Sequence, residues 1–209
     1  MDKKELSNYC QLAFVNGISD AISVIMLHKV FVVLMTGNII YSITALATGF
    51  KFTDLVRLTL ILNFIISGII VHNIVIKKSV HFRILLAITF MLVYLCIGVT
   101  ARKNGLLEDD SIWFLVVANV ATTMSVIMNN IFYKFNATKY NLVAYTMNVL
   151  NLSHMLGEKK FAEASGLGLT MLSFVLGLII ASFITIHYDF YTILLALPIL
   201  INLFFSNKW

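Results

Sequence analysis

The stretch "GISDAISVIMLHKVFVVLMTGNII" (residues 17–40) carries polar groups deep inside a long apolar run. An acid, Asp20, lies near its start, and the triplet Thr36-Gly37-Asn38 lies near its end. A carboxylate inside a membrane segment costs roughly 2.5–3.5 kcal/mol on insertion scales, and such residues usually face the interior of a helical bundle. If the chain spans a membrane, this stretch therefore predicts an interior polar site.

Composition indicates the class of protein. The chain has 209 residues, of which 60% are hydrophobic and 12% are charged, and its mean hydropathy is +0.93. A soluble domain usually carries about 25% charged residues. Because this chain has about half that share, it cannot cover a water-facing surface. The sequence predicts an integral membrane protein, with the lipid bilayer as its partner and one membrane domain over residues 1–209.

Long apolar stretches follow one another along the whole chain and are separated by short polar loops. A helix needs about 20 apolar residues to cross the hydrocarbon core of a bilayer. Because backbone groups in lipid must bond within their own segment, helices are expected throughout. The sequence thus predicts an all-α bundle of about six to eight transmembrane segments. The apolar stretches are 11–27, 30–50, 55–76, 82–101, 111–133, 140–157, 162–186 and 189–206.

Short matching motifs recur in the same order in both halves of the chain, at a nearly constant offset. This order predicts an internal duplication, with repeat one at about 11–101 and repeat two at about 111–206. We expect 17–98 to superpose on 119–205. The matching pairs are "SVIM" (23–26 and 125–128), "MTGNII" (35–40) with "YTMNVL" (145–150), "FIISGII" (64–70) with "FVLGLII" (174–180), and "ILLA" (84–87 and 193–196).

Two arrangements of the segments agree with this duplication. Eight full crossings give four per half and therefore parallel repeats. If the first two segments of each half cross only once together, as broken or re-entrant helices, each half has three crossings and the repeats are inverted. In both arrangements the excess of Lys and Arg lies on the side of the N-terminus. The sequence therefore predicts a multi-pass protein of the cytoplasmic membrane with a cytoplasmic N-terminus.

Asp20 belongs to a polar face of the first segment. Asn16, Asp20 and Ser23 are spaced i, i+4 and i+7, which places them on one side of a helix. We expect Asp20 to face the interior, within reach of Asn38, and to be hydrogen-bonded, protonated or close to a cation. Two interpretations remain open, a binding site and a structural carboxylate that ties helices together.

The triplet Thr36-Gly37-Asn38 has the chemistry of an interrupted helix. Gly37 permits a break or a close helix contact, and Asn38 offers both a donor and an acceptor. Many transporters build their binding sites at such interruptions, although small and polar residues also serve to pack helices together. The second half keeps two of the polar residues but has Met147 in place of the glycine. The predicted substrate- or ion-binding residues are Asn16, Asp20, Thr36, Gly37, Asn38, Thr146 and Asn148.

The sequence lacks the motifs of several other kinds of function. Cys10 and Cys96 lie far apart and form no paired motif, and the histidines form no ligand pair with acidic residues. The chain has no nucleophile motif, no phosphate-binding loop and no basic segment interleaved with aromatics. We therefore expect no enzyme activity, no metal, no cofactor and no nucleic-acid partner.

The motifs of residues 17–40 resemble the YoaK family of small bacterial membrane proteins, which is catalogued as a domain of unknown function. The resemblance covers nearly the whole chain, but the second half has "ANVATTM" (118–124) and "YTMN" (145–148) where that family has Gly-x-Gln-Asn and Thr-Gly elements. It implies a polytopic protein of the bacterial inner membrane, with no settled substrate. The residues that carry it are Gly17, Asp20, Ala21, Phe31, Thr36, Gly37 and Asn38.

These observations favour a small-solute transporter, coupled to protons or cations through Asp20, with an unknown solute. The duplication and the polar groups inside the first half support it. The alternative is a membrane accessory or assembly protein that transports nothing. The sequence leaves homo-oligomerisation open.

Overall fold

The computed structural model describes residues 3–108, 111–132 and 145–206, apart from the side chains of residues 145–147. All regular structure in these ranges is helical, which confirms the predicted all-α bundle. A π-helical turn, Val71–Val75, extends α3, and a 3₁₀ helix, Asp189–Ala196, precedes α8. The α-helices are α1 (Lys3–Met26), α2 (Met35–Thr48), α3 (Phe52–Ile70), α4 (Val80–Lys103), α5 (Ile112–Asn129), α6 (Tyr145–Gly157), α7 (Phe161–Tyr188) and α8 (Leu197–Ser206).

Five helical stretches of the described chain are long and apolar enough to cross a membrane, namely α1, extended α3, α4, α5 and the stretch from α7 to α8. The last has 46 residues. At 1.5 Å per residue it would be about 69 Å long if straight, twice the thickness of a bilayer core. Instead the chain turns at Asp189, which has a φ of 50°, and Asn202 of α8 donates to Gln11 of α1 at 3.0 Å. This stretch therefore crosses twice.

The contacts between helices define their directions. We call the end of the bundle where α1 begins the N-terminal face, and the end where α1 terminates the far face. The ring of His28 lies 5.6 Å from that of Phe114, near the start of α5. The ring of Tyr9 lies 6.1 Å from that of Phe132, just after the end of α5. α1 and α5 are therefore antiparallel, so α5 begins at the far face.

Helix α7 ends at the far face, because the chain turns there at Asp189 and Asn202 then reaches Gln11 near the start of α1. Helices α1 and α7 therefore run parallel, with their backbones in contact. A Cβ atom built on Gly17 would clash with the carbonyl oxygen of Phe174, and one built on Gly177 would clash with the carbonyl oxygen of Phe14. Each glycine thus faces the residue three positions before the other glycine. Small residues at this spacing allow close helix approach in membranes.

A polar network joins α3 to α5, which also run parallel. Asn63 donates to the Asn119 carbonyl at 2.8 Å and to the Thr123 hydroxyl at 3.3 Å. Ser67 donates to Asn63 Oδ1 at 2.8 Å, and Asn119 donates to Thr59 Oγ1 at 3.4 Å. Amide side chains here connect helices, as polar residues commonly do in membrane bundles.

Arg83 connects the ends of α3 and α5 at the N-terminal face. Its side chain is buried at the start of α4, and its guanidinium donates to the carbonyls of Ile131 (2.8 Å), Lys78 (3.0 Å) and Ile76. These carbonyls lie just beyond the ends of α5 and α3. A cation at helix C-termini interacts favourably with the helix dipoles, so Arg83 stabilises both ends together.

Helix α2 does not cross the bundle, although the sequence predicted one apolar segment over 30–50. It begins only at Met35. In its second half Ser42 donates to the Asp54 carbonyl at 3.4 Å, and Arg57 near the start of α3 donates to the His28 carbonyl at 3.1 Å. The end of α1, the second half of α2 and the start of α3 therefore meet at the far face. α2 starts inside the bundle and returns to the face where α1 ended, as a re-entrant helix.

Candidate functional site

The re-entrant path begins with a turn at the end of α1. His28 and Lys29 both have positive φ, 48° and 62°, a conformation that glycine or asparagine usually provides. The Lys29 amide donates to the Val24 carbonyl at 2.9 Å and closes the turn. Residues 30–34 then run back beside α1 in non-helical conformation. Their backbone groups need partners other than those of a helix.

Asp20 is the hydrogen-bond partner of two of these backbone groups. Its side chain is fully buried, and Oδ1 accepts hydrogen bonds from the backbone amides of Val33 (2.8 Å) and Val32 (3.0 Å). Asp20 lies six residues before the end of α1, so these amides lie about 9 Å inside that end. Non-helical backbone at membrane depth must be satisfied by protein or by water, and here the carboxylate satisfies it.

Asn38 holds the same segment from the other side. Its Oδ1 accepts from the Phe31 amide at 3.0 Å, and its Nδ2 donates to the Phe31 carbonyl at 2.6 Å. We call Asp20, residues 31–33 and Asn38 the hairpin site. The sequence predicted that Asp20 and Asn38 lie within reach of each other. The structure connects them indirectly, because each side chain forms hydrogen bonds with the backbone of residues 31–33, which lies between them.

The rest of the triplet has different roles. The sequence predicted that the helix is interrupted or tightly packed at the triplet, and the structure places the triplet in the first turn of α2, directly after the non-helical residues 30–34. Gly37 makes room for the Phe31 ring, since a Cβ atom would lie 2.6 Å from Phe31 Cδ2. Thr36 is exposed on the outer side of the turn. Among the predicted residues of the triplet, Asn38 makes the polar contacts and Gly37 provides space.

The remaining predicted residues lie elsewhere. Asn16 is buried one turn before Asp20, and its Nδ2 donates to Asn129 Oδ1 of α5 at 2.8 Å. Asn148 is buried on α6, which packs against α7, whereas the hairpin site lies between α1 and α2. The Thr146 side chain lies outside the described residues.

Eight buried polar side-chain atoms have no hydrogen-bond partner among the described residues, and such atoms are rare in folded proteins. Asp20 Oδ2 is one of them, so the carboxylate uses one oxygen for the hairpin and keeps the other unpaired. Oδ2 can accept a proton or a cation while Oδ1 keeps its amides. Asn16 Oδ1, one turn before Asp20, is another of these atoms, and the remaining six lie on Arg57, Arg83, Tyr94, Thr122, Thr185 and Thr192. No group of three potential metal-ligating side chains lies together in the described parts of the chain.

The sequence analysis missed a buried ion pair at the far face. Arg57 is only 8% exposed, and its Nη1 lies 2.5 Å from Asp54 Oδ1. Asp54 falls between the predicted apolar stretches 30–50 and 55–76, and nothing in the apolar pattern singles out Arg57. An acid and a base at i and i+3 at the start of an apolar helix are the signal that could have indicated the pair.

Changing Asn38 to aspartate is expected to lower the free energy of unfolding by about 1–3 kcal/mol, because the Phe31 carbonyl loses its donor inside the protein. The side chain keeps its size, so packing is unchanged. Thermal unfolding in detergent measures the effect. Asn73→Asp is the matched control, since the bond that exposed Asn73 makes among the described residues is a single one, to the Ile69 carbonyl. Equal effects of the two substitutions would contradict the assigned role of Asn38.

A helical bundle with apolar spans, a re-entrant helix and a buried polar hairpin defines a polytopic membrane protein. The chain belongs to the family described as "Protein of unknown function (DUF1275)", whose model matches residues 9–206. No curated protein and no solved structure matches the chain. The family is consistent with the resemblance that the sequence indicated, and the finer YoaK assignment stays a prediction.

Proposed function

We propose that the protein is a transporter of a small solute, with Asp20 as the group that carries a proton or cation. The observation that carries this proposal is the non-helical segment beside the buried Asp20 carboxylate, about 9 Å inside the end of α1. Interrupted helices near charged groups at membrane depth are how many transporters form their sites. Intramembrane acids commonly belong to proton relays or ion pathways.

The hairpin site supplies a way to couple charge to structure. Oδ1 of Asp20 holds the Val32 and Val33 amides, and Oδ2 has no described partner. A carboxylate accepts stronger hydrogen bonds than a neutral carboxylic acid. Protonation at Oδ2 therefore weakens the attachment of residues 31–33 to α1, and deprotonation strengthens it. Such a segment is a two-state element whose equilibrium an ion can shift.

The order and direction of the helices in the two halves support the same proposal. Each half contains a long helix, a short one and two further crossings, in the order α1 to α4 and α5 to α8. The first helix of each half packs parallel to the third helix of the other, as α1 on α7 and α5 on α3. Since α1 and α5 are antiparallel, we propose that the halves are inverted copies, as in several transporter folds.

We further propose the cytoplasmic membrane as the location, with the N-terminal face in the cytoplasm. Lys77 and Lys78 follow α3 at this face, and Lys159 and Lys160 precede α7 there. Short cytoplasmic loops carry an excess of Lys and Arg. The same proposal includes three further expectations. The protein carries a small solute of unknown identity, a homo-oligomer is left open, and no enzyme activity is expected.

The alternative function is that of a membrane accessory or assembly protein. The observation that favours it is that the Asn38 amide and Asp20 Oδ1 already form hydrogen bonds with backbone groups of the same chain. In this case the hairpin site is structural, and Asp20 ties α1 to α2.

Accumulation of solutes in proteoliposomes separates the two functions. Vesicles with the wild-type protein, with Asp20→Asn or without protein are incubated with a bacterial small-molecule extract under a pH gradient. Mass spectrometry then identifies the compounds retained. We expect at least one solute to accumulate in wild-type vesicles and to lose gradient-driven accumulation in Asp20→Asn, which keeps an oxygen for the Val32 and Val33 amides. Wild-type vesicles that match empty ones for every compound would contradict transport.

A further inference from the structure

A cavity of about 290 Å³ opens at the far face, between α2 and the start of α3. It is separate from the hairpin site, and none of the predicted site residues lines it. Its wall combines basic groups with hydroxyl groups. The side chains that matter here are His28, Tyr41, Thr44, Thr48, Lys51 and Arg57.

Arg57 provides a fixed cation in this wall. Its Nη1 pairs with Asp54 at 2.5 Å and its Nη2 donates to the His28 carbonyl at 3.1 Å. The guanidinium carbon lies 4.7 Å from the centre of the Tyr41 ring, in cation–π geometry. Three neighbours therefore hold the guanidinium in one position.

Lys51 provides a second cation at the rim. Its side chain is exposed, and no carboxylate of the described residues lies within ion-pair distance of its ammonium group. Since Asp54 offsets only one of the two cations, the wall has a formal excess of one positive charge. An adjoining cavity of about 760 Å³ shares Lys51 and extends to Arg102 and Glu108. The excess charge favours an anion.

Two threonines add acceptors. Thr44 donates its hydroxyl hydrogen to the Ile40 carbonyl at 2.9 Å, and Thr48 donates to the Thr44 carbonyl at 3.2 Å. Because each hydroxyl has only one hydrogen, both oxygens offer lone pairs to other donors. A ligand that uses them must carry hydroxyl or amine donors of its own.

We propose that this far-face cavity binds a small hydroxylated carboxylate, with its carboxylate towards Lys51 and Arg57 and its hydroxyls towards Thr44 and Thr48. The cavity volume suits a ligand of about six carbons, at the lower end of the range for small-molecule pockets. Binding here does not depend on transport, so it goes beyond the function proposed above and is tested separately.

Calorimetric titration of the purified protein in detergent tests the proposal with three six-carbon probes. D-gluconate has both chemical features, hexanoate lacks the hydroxyls, and sorbitol lacks the charge. We expect saturable binding of gluconate, at least tenfold weaker binding of hexanoate and no saturable binding of sorbitol. Absence of saturable gluconate binding, or equal binding of sorbitol, would overturn the proposal.

Substitutions then locate the site. Lys51→Gln is expected to weaken gluconate binding about tenfold, whereas Lys103→Gln, which removes an exposed far-face lysine outside the cavity, leaves it unchanged. Equal weakening by both would show only a general attraction of anions and would overturn the site. These exposed positions are chosen because loss of Arg57 would leave Asp54 buried without its partner.

Removal of the threonine hydroxyls tests the second half of the recognition. The double substitution of Thr44 and Thr48 by valine is expected to reduce gluconate binding to the level of hexanoate and to leave hexanoate binding unchanged. Thr89→Val is the matched control, since exposed Thr89 makes the same kind of bond to the Leu85 carbonyl on α4. A double variant that keeps the preference for gluconate would refute the assignment of these acceptors.

Discussion

Replacing Asp20 with alanine is expected to lower the free energy of unfolding by about 2–6 kcal/mol. The amides of Val32 and Val33 would both lose their acceptor inside the protein, and each unsatisfied buried group costs about 1–3 kcal/mol. The hairpin would no longer be attached to α1. Thermal unfolding in detergent measures the loss of stability, and hydrogen exchange at the amides of residues 32 and 33 measures the local release.

Two controls separate this effect from a general loss of packing. Asp20→Asn keeps an oxygen at the position of Oδ1, so it should lose much less stability than the alanine variant. Ser19→Ala changes a neighbouring buried residue whose side chain, within the described parts of the chain, bonds to the Val15 carbonyl of its own helix alone. If Ser19→Ala destabilised the protein as much as Asp20→Ala, the hairpin role of Asp20 would be wrong.

Gly17→Ala is expected to lower the free energy of unfolding by about 3 kcal/mol, which is the upper end of the usual range for overpacking. The added methyl would meet the Phe174 carbonyl oxygen and would lie 2.8 Å from the Leu178 amide nitrogen. Both are backbone atoms of α7, which cannot move aside by changing a rotamer. The two helices must therefore separate along their length, and thermal unfolding of the purified variant records the effect.

Gly68→Ala is the matched control for this substitution. Gly68 also lies inside a membrane helix, α3, but a Cβ atom there meets no atom of the described residues within 4 Å. Alanine is a better helix former than glycine by about 1 kcal/mol, so this variant should be neutral or slightly more stable. A Gly17 variant as stable as the Gly68 variant would show that α1 and α7 are not in close contact.

Much of the architecture could be predicted from patterns along the chain. Apolar length and the scarcity of charge establish the membrane helices, because a bilayer imposes the same length and polarity on every crossing. The burial of Asp20 followed from the cost of exposing a carboxylate to lipid. The far-face ion pair of Asp54 and Arg57 was not predicted, since a boundary between segments hides which of its residues are buried.

The start of α2 and the partners of Asp20 could not be predicted in this way. The turn that ends α1 uses His28 and Lys29 in left-handed conformation, where a glycine would have been a recognisable signal. The acceptors and donors that Asp20 and Asn38 bind are backbone groups, which are the same in every residue and leave no trace in the sequence. The hydropathy pattern therefore predicted a segment that begins at residue 30, whereas α2 begins at Met35.

Local composition and periodicity account for the membrane class, the approximate helices and the interior placement of Asp20, because these depend on the solvent and on near neighbours in the chain. The re-entrant path of α2, the contact of α1 with α7 and the pairing of Asn16 with Asn129 depend on the folded chain. They join residues up to about 160 positions apart, as Gly17 with Phe174 illustrates, or they reverse the chain direction, as Asp20 with Val33 illustrates. Helix packing and backbone hydrogen bonds are satisfied jointly across the bundle, so their geometry follows from the tertiary structure.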